Sequence, residues 1–477
     1  VRASRAPGQR IATGLVALVL AGALLAACAD GGSSGPAPAA APGPTREELV
    51  RQGGAATVLD EGASAFAQPI GGLTGEQRRQ FAVGNSFFNQ NWVTAPASTE
   101  ARDGLGPIFN AQSCSSCHFK DGRGQPPVDA DDPERGLLVR LSVIGEDGQP
   151  EAHPELGSQF QDRSIRGVPA EGTVRIEITE RPGTYPDGTP YSLAAPTYVL
   201  VRPDGSVVAD VAVSPRVAPA MLGVGLLEAI PEEVVLSQAD PDDADGDGIS
   251  GRAHLITDAE TGEQVLGRFG WKAAVPTLEA QNAAAFVNDI GITSPVDPEG
   301  PCTDAQAACR AAPDGGDPEL DADKLDTITF YTRTLAVPAR RDVGAADTVA
   351  GQERFEAIGC ASCHTPELTT GASDLEPLAE QAIRPYTDLL LHDLGPALAD
   401  DRPDVDATGR EWRTPPLWGI GLVETVNRHT RFLHDGRARS IEEAILWHGG
   451  EAETSRVRFT ELPAVQREQV LTFLESL

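Results

Sequence analysis

The sequence predicts a mainly α protein built as two tandem halves, with a β-rich insertion in the first. Three observations predict it. The motif Cys-x-x-Cys-His occurs twice, at residues 114–118 and 360–364. A segment downstream of each motif recurs: Pro219, Gly223, Gly225, Leu226 and Glu228 of residues 217–228 return as Pro415, Gly419, Gly421, Leu422 and Glu424 of residues 413–424. Between motif and repeat, only the first half carries runs that alternate apolar and polar side chains.

The elements follow in chain order. Arg2, Arg5 and Arg10 precede an apolar run over 11–27 that ends Leu25-Ala26-Ala27-Cys28. This reads as a signal-peptide core closed by a lipobox, so that cleavage leaves Cys28 as a lipid-bearing N-terminus. An ordinary signal peptide or a single membrane span is the other reading. Residues 29–44, rich in Gly, Ser, Pro and Ala, read as an extended tether. The expected location is periplasmic, with the lipid at Cys28 the only membrane attachment.

Thr45-Arg46-Glu47-Glu48 has the pattern of a capping box, and 74–92 has apolar positions at helical spacing. Runs at 137–145, 173–180 and 196–213, rich in Val, Ile and Thr, read as strands. Turns are expected at Pro186-Asp187-Gly188 and Pro203-Asp204-Gly205. Residues 320–335, 349–358 and 462–477 return to helical patterns. The first domain is thus expected over 45–340, with its insertion at about 135–215, and the second over 341–477.

The net charge is -32, which excludes nucleic acid as a partner, because phosphate binding needs a basic surface. Such a surface steers a basic protein, such as an electron-donor cytochrome or another small redox protein, or it is solvated with no partner.

The seven cysteines divide by role. Cys28 takes the lipid. Cys114 and Cys117, and Cys360 and Cys363, belong to the two motifs. Cys302 and Cys309 remain, either as a disulfide closing a short loop in an oxidising compartment or as two free thiols. In an exported chain, two thiols followed by a histidine attach a c-type haem: the thiols add across its vinyl groups and the imidazole faces the iron. Each half therefore reads as a cytochrome c-like haem domain, with His118 and His364 as proximal ligands. Function then turns on the opposite side of each iron. A strong sixth ligand gives electron transfer, whereas an open site gives chemistry with a small oxidant. The single methionine, Met221, lies in an apolar repeat and reads as core, which leaves no methionine for ligation.

The chain resembles the di-haem oxidoreductase family, within the bacterial di-haem cytochrome c peroxidase superfamily. The resemblance covers most of residues 75–477. It rests on GLGPIFN (104–110), SCSSCHFKDGRG (113–124), DGDGISGR (245–252) and LGRFGWKA (266–273) in the first half. In the second it rests on LLLHDLG (389–395), EWRTPPLWG (411–419) and FLHDGRA (432–438). The resemblance implies that His448 stands where the peroxidases have the methionine that ligates the C-terminal haem. It implies that Trp271 lies between the haems and that Gln281 lines the peroxide pocket, whereas His434 and His392 match histidines that do not ligate iron. The glutamate of that pocket falls near Gly291, and the nearest acid is Asp289. Cleavage of an O–O bond needs a positioned acid or base, and Asp289 or Glu228 are the candidates. The displaceable histidine that follows the first motif in the peroxidases has no counterpart here, which implies an open first iron.

Asp243, Asp245 and Asp247 before Gly248 present oxygens at calcium spacing, although His254 stands at the twelfth position of that loop; a solvated acidic loop is the other reading. The function expected from all this is an oxidoreductase of peroxidase type, in which the second haem passes electrons to the first. The alternatives are an electron-transfer protein with two six-coordinate haems, or a haem oxidase of a thiol or protein substrate.

Overall fold

The computed structural model describes residues 43–127, 136–146, 150–258 and 261–477; the expected signal peptide, Cys28 and nearly all of the tether lie outside the described residues. In chain order the elements that position the site are helix α1 (Gly75–Asn89), strands β1 (Leu137–Ile144), β2 (Thr173–Thr184), β3 (Pro190–Val201) and β4 (Ala212–Val217), and then helices α2 (Leu278–Ala285), α3 (Ala322–Arg333), α4 (Ala346–Ala357), α5 (Ile441–Trp447) and α6 (Ala464–Ser476).

The expectation of a mainly α protein is corrected: 31% of the described residues are helix and 19% strand, the latter in several small sheets. Helical periodicity flanks each motif, but the segments between lack it. Their backbone groups are satisfied in short ladders instead, such as Thr57–Val58 with Val337–Pro338 and Leu391–Asp393 with Glu411–Arg413. The expected strand over 196–213 is two strands, split at the Pro203-Asp204-Gly205 turn, where Gly205 has φ 86. The β2–β3 hairpin reverses at Pro186-Asp187-Gly188, as the turn residues indicate, and runs in register from Thr184↔Pro190 to Thr173↔Val201.

Helix starts follow their capping residues. Thr74 accepts from Gln77 N while the Gln77 side chain returns to the Thr74 N–H, and Asp321 caps α3 through Lys324 N. Thr45 and Glu48 form the expected capping box on a short turn, Arg46–Val50.

The two halves repeat the same helix crossing. Gly84 of α1 packs against the Thr327 carbonyl and Tyr331 of α3; Gly351 of α4 packs against the Gln469 carbonyl and Phe473 of α6. Gly225 abuts the Arg333 carbonyl, and Gly421 abuts that of Glu475. The repeats also meet each other: Gly223 packs on Trp418, and Gly419 packs on Leu222. Trp418 is the repeat counterpart of Leu222, so the contact is reciprocal. Both side chains sit in one core cluster with Phe66, Leu226, Val337 and Leu390, which joins the halves. Since a Cβ at Gly351 would collide with backbone, Gly351→Ala is expected to cost about 3 kcal/mol, the upper end of ordinary overpacking. Chemical denaturation of the variant against the parent measures it.

Cys302 and Cys309 are disulfide-bonded, with Cα atoms 5.7 Å apart. Among the described residues no helix is long and apolar enough to cross a membrane.

Candidate functional site

Both motifs begin on a single tight turn, Cys114–Ser116 and Cys360–Ser362. Each histidine is then fixed by a backbone carbonyl. His118 Nδ1 donates to Pro219 O at 2.8 Å, and His364 Nδ1 donates to Tyr386 O at 2.9 Å. A carbonyl only accepts, so Nδ1 carries the proton and Nε2 keeps its lone pair for a metal. Burial strengthens this, pushing both imidazoles down to about 4. Each ring faces an equivalent phenylalanine: Phe88 lies 6.1 Å from His118, and Phe355 lies 6.3 Å from His364. The anchoring carbonyls are not equivalent by repeat, because Pro219 recurs as Pro415 whereas Tyr386 holds His364.

None of the four motif cysteines is in a disulfide. Burial, with help from the Asp289 carboxylate, raises the Cys114 thiol to about 12, and burial raises Cys360 to about 12. A catalytic Cys-x-x-Cys pair needs the opposite, a depressed and accessible thiolate.

The motifs open on one cavity of about 540 Å³, lined by His118, His364, Trp271, Gln281, Asp289 and His448 among others. The residues fit two haems. Each motif offers two unoxidised thiols and an imidazole oriented to ligate, and the cavity walls are largely apolar.

The two ends of the cavity differ. At the second, α5 begins at its Ser440 cap and stops at His448, whose ψ of 132 turns the chain out of the helix. His448 Nδ1 donates to Ala444 O at 2.7 Å, so its Nε2 is also left to ligate. His448 lies close enough to His364 to help depress it. At the first, α2 passes into a π turn, Phe286–Ile290, closed by Gly291 at φ 76. Such turns displace a side chain from the helical row, and this one sets Asp289 at the cavity wall. Asp289 Oδ1 accepts from Gln159 Nε2 at 2.9 Å. Burial raises Asp289 to about 6, despite Gln159 and the nearby Arg140. Gln281 lines the same wall, with Oε1 buried and unpartnered.

Trp271 lines the same cavity and donates from Nε1 to Val217 O at 2.8 Å, with the Arg123 guanidinium 5.2 Å from its ring. Beside it, Trp412 and His434 stack at 3.7 Å, and Lys272 Nζ lies 4.5 Å from the Trp412 ring. Lys272 is fully buried, held by Asp400, Arg402 O and Thr408 O, and burial lowers it to about 8. His392 is spent on two carboxylates, Asp388 and Glu451, which raise it although burial opposes them.

Glu228 does not join the cavity. Its Oε1 accepts from Leu278 N at 2.8 Å, at the start of α2, and its Oε2 pairs with Arg333 at 3.0 Å. The sequence reading missed Gln159, which lies in the insertion where no motif marks it. It also missed Lys272 and Trp412, although both stand in segments that carry the family resemblance. Asp243, Asp245 and Asp247 bring carboxylate oxygens within 4.8 Å of one another on an exposed loop. That loop is tied to the second half by Ser250, which donates to Glu451.

A family described as "Di-haem oxidoreductase, putative peroxidase" matches residues 47–144 and 204–477. No curated protein and no solved structure matches the chain.

Proposed function

We propose, on the premise that this chain belongs to the di-haem oxidoreductase family, that it is an exported di-haem c-type cytochrome oxidoreductase acting as a peroxidase. The unequal ends of the cavity carry this reading. One proximal histidine, His364, has a second imidazole, His448, close by on the same cavity. The other is accompanied by a carboxyl and a carboxamide, Asp289 and Gln281. Closed and open irons in one chain suit a donor-facing haem and a reacting haem.

The haems, when bound, supply one-electron transfer and an iron at which a peroxide oxygen can be reduced. The chain does the rest. His448 closes the second site to small oxidants. Trp271, on the wall of the cavity both motifs share, relays electrons from the second site to the first. Asp289 takes a proton from the entering peroxide and returns it to the departing oxygen, and Gln281 holds the peroxide by hydrogen bonding. The sum is H2O2 with two electrons and two protons giving two waters, the electrons coming from a small redox protein drawn to the acidic surface.

Thioether attachment at Cys114, Cys117, Cys360 and Cys363 makes both haems permanent. Intact mass should show two haem additions, and one or none contradicts the reading. The apolar run before Cys28 supports export and lipid anchoring there. The acidic loop is expected to hold calcium: elemental analysis of chelator-free protein should find about one ion per chain, lost in Asp245→Ala. Steady-state turnover of peroxide with several reduced donors tests the function as a whole. Turnover with any of them supports it, and none with every donor contradicts it.

A further inference from the structure

The family match leaves residues 145–203 uncovered, and the β2–β3 hairpin lies inside that stretch. The hairpin belongs by sequence to the first half but is fastened to the second. Tyr185 Oη donates to Glu442 at 2.7 Å, and the Ala194 N–H donates to Glu443 at 2.6 Å. Arg439, just before α5, spans Glu443 and Glu180 of β2, both at 2.8 Å. The Arg181 guanidinium lies 5.4 Å from the Trp447 ring. At the hairpin turn, Asp187 pairs with Arg467 of α6 at 2.7 Å, and that guanidinium lies 3.8 Å from the Tyr185 ring. Tyr185, Tyr191 and Leu193 share an apolar cluster with Leu446, Phe459 and Leu474.

Most of these contacts converge on one element. Helix α5 has seven residues, too few to hold its own place. Its position is set by what packs on it, and its next residue is His448. Glu442, Glu443 and Trp447 of this one helix all bind the hairpin. A ligand carried on so short a helix leaves the metal whenever the helix shifts outward, so whatever braces the helix sets how often the site opens.

We infer that the hairpin is a brace that keeps His448 on the second haem; the inference rests on the proposed ligation by His448. In this arrangement the hairpin residues are positioning residues and touch neither haem nor peroxide. They set the coordination state of the second iron from the far side of α5.

Carbon monoxide uptake by the reduced, haem-loaded full-length protein tests this, because a site closed by histidine binds carbon monoxide only as fast as the histidine departs. The wild type is expected to take up one equivalent quickly, at the first haem, and the second very slowly. His448→Ala should take up both quickly. In one hairpin variant residues 177–197 are replaced by Asn-Gly, which joins the register pair Ile176↔Tyr198 through a two-residue turn. A milder variant combines Arg181→Ala with Tyr185→Phe. Both are expected to speed the second uptake by roughly tenfold or more, with a matching high-spin fraction in the oxidised spectrum. If the shortened protein fails to load haem, the double substitution decides. An unchanged second uptake in the double substitution, alongside fast uptake in His448→Ala, overturns the brace and leaves the ligation standing. Slow uptake in His448→Ala overturns the ligation itself, and the brace falls with it.

Discussion

Asp289→Asn is expected to lower peroxide turnover by about 10²- to 10⁴-fold, the usual worth of a positioned acid–base group. Asparagine keeps the carbonyl oxygen that accepts from Gln159 Nε2, so the wall of the cavity is retained. It cannot take the proton from peroxide. The pH dependence follows from burial, which raises this carboxyl to about 6. The ionised form is the base, so activity should rise with pH through about 6 in the parent and lose that limb in the variant. Stability runs the other way. A carboxyl raised in the folded state contributes stability below its unfolded pKa and loses it as pH rises through the folded one. At neutral pH the buried charge is therefore a cost, and Asp289→Asn should be no less stable than the parent. Lost turnover with retained or improved stability separates a chemical role from a structural one. Glu228→Gln gives the contrast: its loss should fall on stability, through Arg333 and the start of α2, and not on the pH profile.

His448→Met is expected to raise the midpoint potential of the second haem by on the order of 0.2 V, a fraction of the roughly 0.8 V over which axial ligands tune haem. A thioether favours the reduced iron more than imidazole does. The variant should accept electrons from higher-potential donors and deliver them less readily to the first haem. The first haem has different surroundings and should keep its spin state. A redox titration that follows each haem's spectrum separately reads both effects. A shift in the first haem alone would mean that His448 serves the other site.

How far the sequence reached depends on what fixed each residue. The two motif histidines stand out because Cys-x-x-Cys-His has one spacing and one residue order, and the structure sets both on the cavity. His448, Trp271 and Gln281 were reached through the family resemblance, and the structure sets all three on the cavity. Asp289 was chosen only as the nearest acid to a missing glutamate. The structure supplies the reason for its place, a π turn that no periodicity announces. Glu228, the other candidate acid, is spent on the first turn of α2 and on Arg333, contacts that no sequence pattern announces. The mainly α expectation failed because helical patterns around the motifs were extended to segments that hydrogen-bond in short ladders. The hairpin was legible as strands, yet its reach onto α5 was not, since pairing register says nothing about which distant helix a strand will cover. Gln159 and Tyr386 act through a side-chain amide and a backbone carbonyl, neither of which carries a sequence signature.

The central claim is that the two irons differ, one closed by His448 and one open. The spin state of the purified di-haem protein, read by electron paramagnetic resonance when oxidised and by ligand binding when reduced, tests it most directly. The account predicts one low-spin haem and one high-spin or readily ligated haem per chain. Two low-spin haems that bind no added ligand in either oxidation state would contradict it.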